Sequence, residues 1–177
     1  NGTHVLAIDT GSNIILNSGV LEASGSGGLT VASSIANSGV LWANASSLTV
    51  QGEVSGNGIA KIDGDGILDF EASSTANVIF GSGAAGTLKL GDSFHFSGTV
   101  SGFAGSDTID LANLASATAS LSYHENAAGT GGTLMISDGL QTLNLSLIGN
   151  YSSDNFSIAT DQAKGTLVSY VPHDLIV

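Results

Sequence analysis

A five-residue block repeats in this chain at a step of twenty positions. Residues 17–21 read Asn-Ser-Gly-Val-Leu, and residues 37–41 repeat the block unchanged. Weaker copies begin at Asn57 and Asn77. A fixed period of this size predicts a repeat protein, in which each unit buries its apolar side only against its neighbours. The repeat therefore limits the fold more than any other feature.

Apolar residues recur at the same step. Leu48, Leu68 and Leu88 form one column, and positions 20, 40, 60, 80 and 100 read Val, Val, Ala, Phe and Val. In the first repeat the matching segment, residues 29–31, is displaced by one position. Around each leucine, apolar and polar residues alternate, which is the period of a half-buried strand. These patterns predict a right-handed parallel β-helix, a solenoid of about 20 residues per coil.

Asparagine occupies positions 17, 37, 57 and 77. Asparagine tolerates a left-handed backbone and marks turns. When stacked in register, its side-chain amides can also bond to one another along the solenoid axis. The column therefore predicts either an asparagine ladder or a series of simple turn residues.

The period fades after residue 103, so we divide one continuous domain into coils over 1–103 and a continuation with a hairpin cap over 104–177. Residues 120–123 and 133–136 alternate on either side of a glycine-rich turn, and residues 156–158 and 166–168 flank a second turn. Such pairs of short alternating runs predict β-hairpins. A cap of this kind would cover the strand edges at the end of a solenoid.

Charge excludes several kinds of partner. The chain has 15 acidic and 3 basic residues, a net charge of −12, and no cysteine. Nucleic acids and anionic membrane surfaces are bound through Lys and Arg, so we expect binding to neither. No run approaches the roughly 18 apolar residues of a membrane span, so we expect no membrane insertion. No basic and apolar leader follows Asn1, so we expect the targeting signals to lie elsewhere in a longer precursor.

One segment begins with Gly102-Phe103, and its residues 105–111 read Gly-Ser-Asp-Thr-Ile-Asp-Leu. It resembles the segment that closes the calcium β-roll of haemolysin-type (RTX) and serralysin-like secreted proteins. Residues 149–166 are similar to a module of very large repeat proteins that bacteria export, and the earlier coils resemble β-helical adhesin passengers. The resemblance covers roughly residues 77–171 and implies secretion or display at the cell surface.

Four aspartates are candidate calcium ligands, because calcium prefers six to eight oxygen ligands. Asp63 and Asp65 lie in an Asp-Gly-Asp-Gly turn, with Asp69 close behind. For Asp107 and Asp110 the expectation comes from the resemblance, although the glycine-rich calcium nonapeptide is absent as a repeat. Asp107 has an alternative role, which is to bond backbone N–H groups in a turn.

Enzyme chemistry has weaker support. Asp9-Thr10-Gly11 matches the aspartic peptidase signature, but that chemistry needs a second carboxylate and the chain holds a single copy. Polysaccharide-active β-helices are the other enzymatic alternative, and the absence of arginine counts against a lyase. We therefore assign no catalytic residue, leave enzyme activity open, and expect no required cofactor, with calcium as the candidate ion.

Alternation places the single tryptophan, Trp42, on the outer surface, where it is a candidate binding residue for a sugar ring or a protein. The function expected from the whole sequence is a structural or adhesive module of a large secreted or cell-surface bacterial protein. Its partners would be other domains of the same chain, and surface polysaccharide. A carbohydrate-binding or polysaccharide-active fragment is the alternative.

Overall fold

A computed structural model of the chain describes residues 2–83 and 85–171. The last residues of the predicted cap, 172–177, lie outside this part. The described residues form the strands β1 (Leu6–Ile8), β2 (Ile15–Asn17), β3 (Val20–Ala23), β4 (Leu29–Val31), β5 (Ile35–Asn37), β6 (Val40–Asn44), β7 (Ser47–Val50), β8 (Val54–Ser55), β9 (Ile59–Asp63), β10 (Ile67–Phe70), β11 (Asn77–Phe80), β12 (Thr87–Leu90), β13 (Thr99–Ser101), β14 (Thr108–Leu111), β15 (Ser120–Glu125), β16 (Gly131–Ser137), β17 (Thr142–Ile148), β18 (Phe156–Thr160) and β19 (Thr166–Tyr170). Short 3₁₀ turns occur at Ser93–His95, Ser116–Thr118 and Ser153–Asn155.

The strands stack as a parallel β-solenoid, as the repeat predicts. The first sheet has the order β1-β4-β7-β10-β12-β14-β19-β18, and the second has the order β15-β16-β17-β13-β11-β9-β6-β3. A shorter third sheet, β2-β5-β8, lies along the turn between them. Pairing is parallel from β1 to β14 in the first sheet and from β3 to β17 in the second.

The interior of the solenoid is a stack of apolar ladders. Leu29 pairs with Leu48, which continues through Leu68 and Leu88 to Ile109. The displacement of the first repeat by one residue is confirmed, because Leu29 and Leu48 are one position closer than Leu48 and Leu68. All five side chains are buried. Each coil alone would leave this face in water, so the apolar contacts between coils stabilise the stack.

Another predicted column is wrong. Val40 pairs with Ile59 and not with residue 60, and Ala60 stacks between Leu41 and Val78. The chain reaches β9 one residue early, because the turn between β6 and β7 is one residue shorter than the turn between β3 and β4. One residue of slip exchanges inward and outward positions in a strand. Positions 20, 40, 60, 80 and 100 therefore do not form a single ladder.

The asparagine ladder is confirmed at one step only. Asn17 and Asn37 are paired, but Asn57 lies in an exposed turn, and Asn77 pairs with Ile59. The same shortened turn moves Asn57 out of register. The Asn37 amide instead donates to the Ile59 carbonyl oxygen, 3.2 Å away.

Antiparallel hairpins close the C-terminal end. β15 and β16 form the first predicted hairpin, β17 extends it, and β18 and β19 form the second. The hairpin strand β17 runs parallel to β13, whereas β19 runs antiparallel to β14. The edges of β14 and β13 are thereby paired, and β18 and β15 become the outer strands at this end.

An aromatic cluster joins the two hairpins. Tyr123 packs on Phe156 with 5.2 Å between ring centroids, and Tyr170 contacts Phe156 at 4.8 Å. Tyr151 lies edge-on to Tyr170 at 5.0 Å. Burial raises the pKa of the Tyr151 hydroxyl to about 12. Aromatic pairs in such offset and edge geometries contribute beyond their buried area, so this cluster stabilises the cap.

Candidate functional site

The most chemically varied outer surface surrounds Trp42, on the second sheet. This Trp42 patch consists of Glu22, Trp42, Asn44, Lys61 and Asp63. Sheet register brings these residues together, because Trp42 pairs with Glu22 on one side and Lys61 on the other, and Asn44 pairs with Asp63. Trp42 is half-buried, so the prediction of an outward-facing ring is confirmed.

Most polar groups of the Trp42 patch are bonded to each other. The indole Nε1 of Trp42 donates to Oδ2 of Asp63 at 2.8 Å, and the Lys61 ammonium lies 2.6 Å from the same oxygen. The Asn44 amide donates to Oε1 of Glu22 at 2.8 Å. The Lys61 nitrogen also lies over the indole, 4.9 Å from the ring centroid. One face of the ring is thus engaged in a cation–π contact.

A second group of charges, the Lys89 ladder, lies on the outer face of the first sheet. Asp69, Lys89 and Asp110 occupy consecutive steps of one ladder. The Lys89 ammonium donates to Oδ2 of Asp69 at 3.0 Å. This hydrogen bond raises the pKa of Lys89 above its ordinary 10.5. Within the described residues, Oδ1 of Asp69 and Oδ1 of Asp110 are buried without a hydrogen-bond partner.

Asp110 is the less favourably placed acid of the Lys89 ladder. Burial raises the pKa of its carboxyl, and the negative charge of Asp161 raises it further, against the opposing effect of Lys89. The ladder has one lysine between two acids, so its charges are only partly compensated. Asp110 therefore pays a desolvation cost that an exposed carboxylate would avoid.

The four predicted calcium ligands are dispersed in the structure. Asp107 is buried before β14, and its carboxylate accepts the N–H of Gly86 and the N–H of Ala104, both at 3.0 Å. Burial nevertheless raises the pKa of Asp107. Asp110 faces outward in the Lys89 ladder. The oxygens of Asp107 thus already accept two donors: Ala104 in its own turn, as its position also predicted, and Gly86 in the preceding coil.

The other two acids differ from each other as well. Asp63 belongs to the Trp42 patch, where its Oδ2 accepts from Trp42 and Lys61, whereas Asp65 is exposed at the tip of the turn. In the part of the chain that the structure describes, no three His, Asp or Glu side chains are grouped so that they could hold a metal ion. The geometry therefore offers isolated carboxylates and not an assembled calcium cage.

The peptidase-like segment forms a turn of the first coil. Asp9 is exposed and its Oδ1 accepts the N–H of Gly11 at 2.8 Å, while the Thr10 hydroxyl donates to Oγ of Ser33 at 2.9 Å. The first bond closes the turn, and the second holds it against the second coil. Among the described residues, no helix has the length and apolar character needed to cross a membrane.

Sequence reasoning missed the partners of Trp42 and the Lys89 ladder. The signal for the ladder was present at positions 49, 69 and 89, between the two apolar columns, where Thr, Asp and Lys follow one another. The Trp42 patch was harder to find, because Lys61 follows Trp42 at a step of 19 and not 20.

Comparisons with protein-family models, curated proteins and solved structures found no match to this chain. The β-solenoid assignment rests on the pairing of the chain's own strands.

Proposed function

We propose that the chain is a non-catalytic structural and adhesive module of a large secreted or cell-surface bacterial protein. The observation that carries this proposal is that polar side chains bridge successive coils. The bridging bonds join residues 20 to 22 positions apart, and they include Asn17–Asn37, Glu22–Asn44, Trp42–Asp63, Asp69–Lys89, Asn77–Thr99 and Ser93–Asn113.

Bonds of this kind suit a stiff rod. A net contribution of about 1 kcal/mol is typical of one intramolecular hydrogen bond. In a stack where each coil contacts only its neighbours, bonds between coils oppose bending and sliding along the axis. Side chains that hold adjacent coils together are also less free to act on a substrate, which favours a structural role over catalysis.

Secretion and display are supported by the residues that resemble exported modules. The Gly102-Phe103 segment and Asp107 connect β13 to β14, the two strands on which the cap pairs. The net charge of −12 opposes binding to nucleic acids and anionic membranes. Neighbouring domains of the same large chain are the partners that a spacer would hold apart.

The spacer proposal is tested by the stiffness of the rod. Because the chain has no cysteine, spin labels can be attached specifically through Ser18→Cys and Leu140→Cys, two exposed positions at the open end and in the cap. We expect pulsed electron resonance to give a single narrow distance distribution. A broad distribution, or turnover of a polysaccharide by the purified chain, would overturn the proposal.

Carbohydrate binding is the second candidate, and the Trp42 patch is the observation that favours it. A half-exposed indole beside a carboxylate and an amide can stack on a sugar and bond its hydroxyls. A sugar that stacks on the face under Lys61 has to displace the ammonium group. Trp42 is the single tryptophan, so its fluorescence reports directly on binding.

The two candidates differ in a titration with oligosaccharides. Carbohydrate binding predicts a saturable change in Trp42 emission that Asn44→Ala weakens. Asn57→Ala, an exposed asparagine away from the patch, is the matched control. A purely structural module predicts unchanged emission in all three proteins.

A further inference from the structure

We infer that the open edge, formed by β1, β2 and β3, receives a further parallel solenoid coil whose turn carries an asparagine. Each of these strands is the outermost strand of its sheet and pairs on one side only. Leu6 and Ile15 donate their N–H groups to the second coil. Because bonding alternates along a parallel strand, the N–H groups of Ala7, Leu16 and Val20 point away from it.

Apolar side chains accompany these unpaired groups. Leu6 begins the ladder that continues through Leu29 and Leu48, yet it is 53% exposed, whereas those two are 3% and 0% exposed. Leu16 and Val20 are 82% and 61% exposed at the same end. A coil stacked on this edge would bury Leu6 and partly cover Leu16 and Val20, whose counterparts Ala36 and Val40 are half-buried. Each Å² of apolar surface removed from water would contribute about 25 cal/mol.

The hydrogen bonds that the side chains of the asparagine pair donate all run in one direction along the solenoid axis, with each donor pointing toward the later coil. Asn17 donates from Nδ2 to Oδ1 of Asn37, 2.8 Å away, and also to the Val40 carbonyl oxygen. Asn37 accepts in this bond and donates onward to Ile59. By the same pattern, Oδ1 of Asn17 is the acceptor that faces the open edge, and it has no partner among the described residues. A coil with an asparagine at the equivalent turn would supply the donor.

Gly19 is an independent indication of close approach. Gly39, at the equivalent position of the next coil, has no room for a side chain, because a Cβ there would lie 2.1 Å from the Gly19 carbonyl oxygen. A Cβ on Gly19 itself would meet nothing within 4 Å. Gly19 has no positive φ, so its own backbone does not require glycine. A coil stacked before it would require glycine there for the same reason as at Gly39.

A second copy of this chain does not meet these requirements. In a head-to-head pair, two Asn17 acceptors would face each other without a donor. In a head-to-tail pair, the open edge would meet β18 and β15, the outer strands of the antiparallel cap, which offer no parallel coil with an asparagine at the equivalent turn. A parallel coil with its own asparagine satisfies both the bonding and the apolar surface. This inference does not depend on the proposed function, so its failure would leave that proposal standing.

The test adds such a coil to the whole chain. A copy of residues 26–45 is joined directly before His4, which places the copied leucine over Leu6 and the copied asparagine over Asn17. Amide hydrogen exchange is measured at Ala7, Leu16 and Val20, with the core amides of Leu68 and Leu88 as the check that the rest of the solenoid is folded. We expect protection of the edge amides to rise at least about tenfold.

Gly19→Ala provides the matched control. In the original chain we expect an unchanged melting temperature, because a Cβ there meets nothing. In the lengthened chain we expect a fall of about 4 °C and loss of the added edge protection. Edge amides that stay unprotected while Leu68 and Leu88 are protected would overturn the inference. So would an equal effect of Gly19→Ala in both chains, or a dimer of the original chain that protects the same edge amides.

Discussion

The indole Nε1 of Trp42 donates to Oδ2 of Asp63, 2.8 Å away and one coil further along the solenoid. The same oxygen accepts the Lys61 ammonium. The carboxylate of Asp63 thus bonds both an aromatic side chain of one coil and a cation of its own coil.

We expect Trp42→Phe to lower the free energy of unfolding by about 1 kcal/mol through this lost hydrogen bond, in addition to the loss from reduced packing. Asp63→Ala should remove the acceptor of the same interaction. A double-mutant cycle by urea unfolding separates the pairwise part, and strictly additive effects would contradict a direct Trp42–Asp63 coupling.

Asn37→Ala should destabilise the solenoid by about 1–3 kcal/mol, because it leaves buried partners unsatisfied. Asn37 is 2% exposed and bonds both Asn17 and the Ile59 carbonyl. Asn57→Ala, at the exposed position of the same sequence column, should stay within about 0.5 kcal/mol of the parent. Equal losses in chemical denaturation would show that the pairing of Asn17 with Asn37 has no special role.

The Asp69–Lys89 bond predicts a pH dependence in alkali. The pKa of Lys89 is raised in the folded state, so its contribution is fully present below 10.5 and is lost as the pH rises through the folded-state pKa. Lys89→Met should therefore cost most below pH 10.5 and progressively less above it. Unfolding free energies of both proteins across this range provide the measurement, and a constant difference would argue against the bond.

Asp110 should behave in the opposite sense to a paired acid. Its pKa is raised above 3.8 in the folded state, so its charge opposes folding at neutral pH and stability recovers as the pH falls through that pKa. We expect Asp110→Asn to raise the melting temperature at neutral pH and to lose this advantage below pH 3.8. Asp65→Asn, at an exposed acid, is the control. A lower melting temperature for Asp110→Asn at neutral pH would be the contrary result.

Calcium binding stays a prediction, and the structure sharpens its test. At Asp107 calcium would compete with two N–H donors. A rise in melting temperature with calcium over chelator, if it comes from the Asp63–Asp65 turn, should disappear in Asp65→Asn and persist in Asp107→Asn. Saturation at a hundredfold excess over Kd would correspond to about 2.7 kcal/mol. Identical melting curves with calcium and chelator would exclude a stabilising site.

The sequence predicted the inner ladder correctly where the repeat length stayed constant from one coil to the next. Leu48, Leu68 and Leu88 reveal the inner ladder because the two coils that separate them have the same total length. The position of Ala60 was mispredicted because one residue fewer precedes β9, a change that a fixed step cannot detect. Register errors of one residue matter most in strands, where neighbouring side chains face opposite sides.

The cap illustrates a different limit. Alternation and a glycine-rich turn predicted the hairpin of β15 and β16, because both signals are local. The cluster of Tyr123, Phe156 and Tyr170 depends on how two hairpins dock on the last coil. Contacts between residues so distant in sequence have no signature in the spacing of any one segment.

The antiparallel course of β19 against β14 also limits how the molecule can grow. A β-solenoid with two free ends can add units indefinitely, as filaments do. Here β19 pairs with β14 in the reversed direction, so the parallel stack of coils ends there. A further parallel coil can therefore extend the stack only from the edge of β1, β2 and β3, while β18 and β15 are the outer strands of the cap.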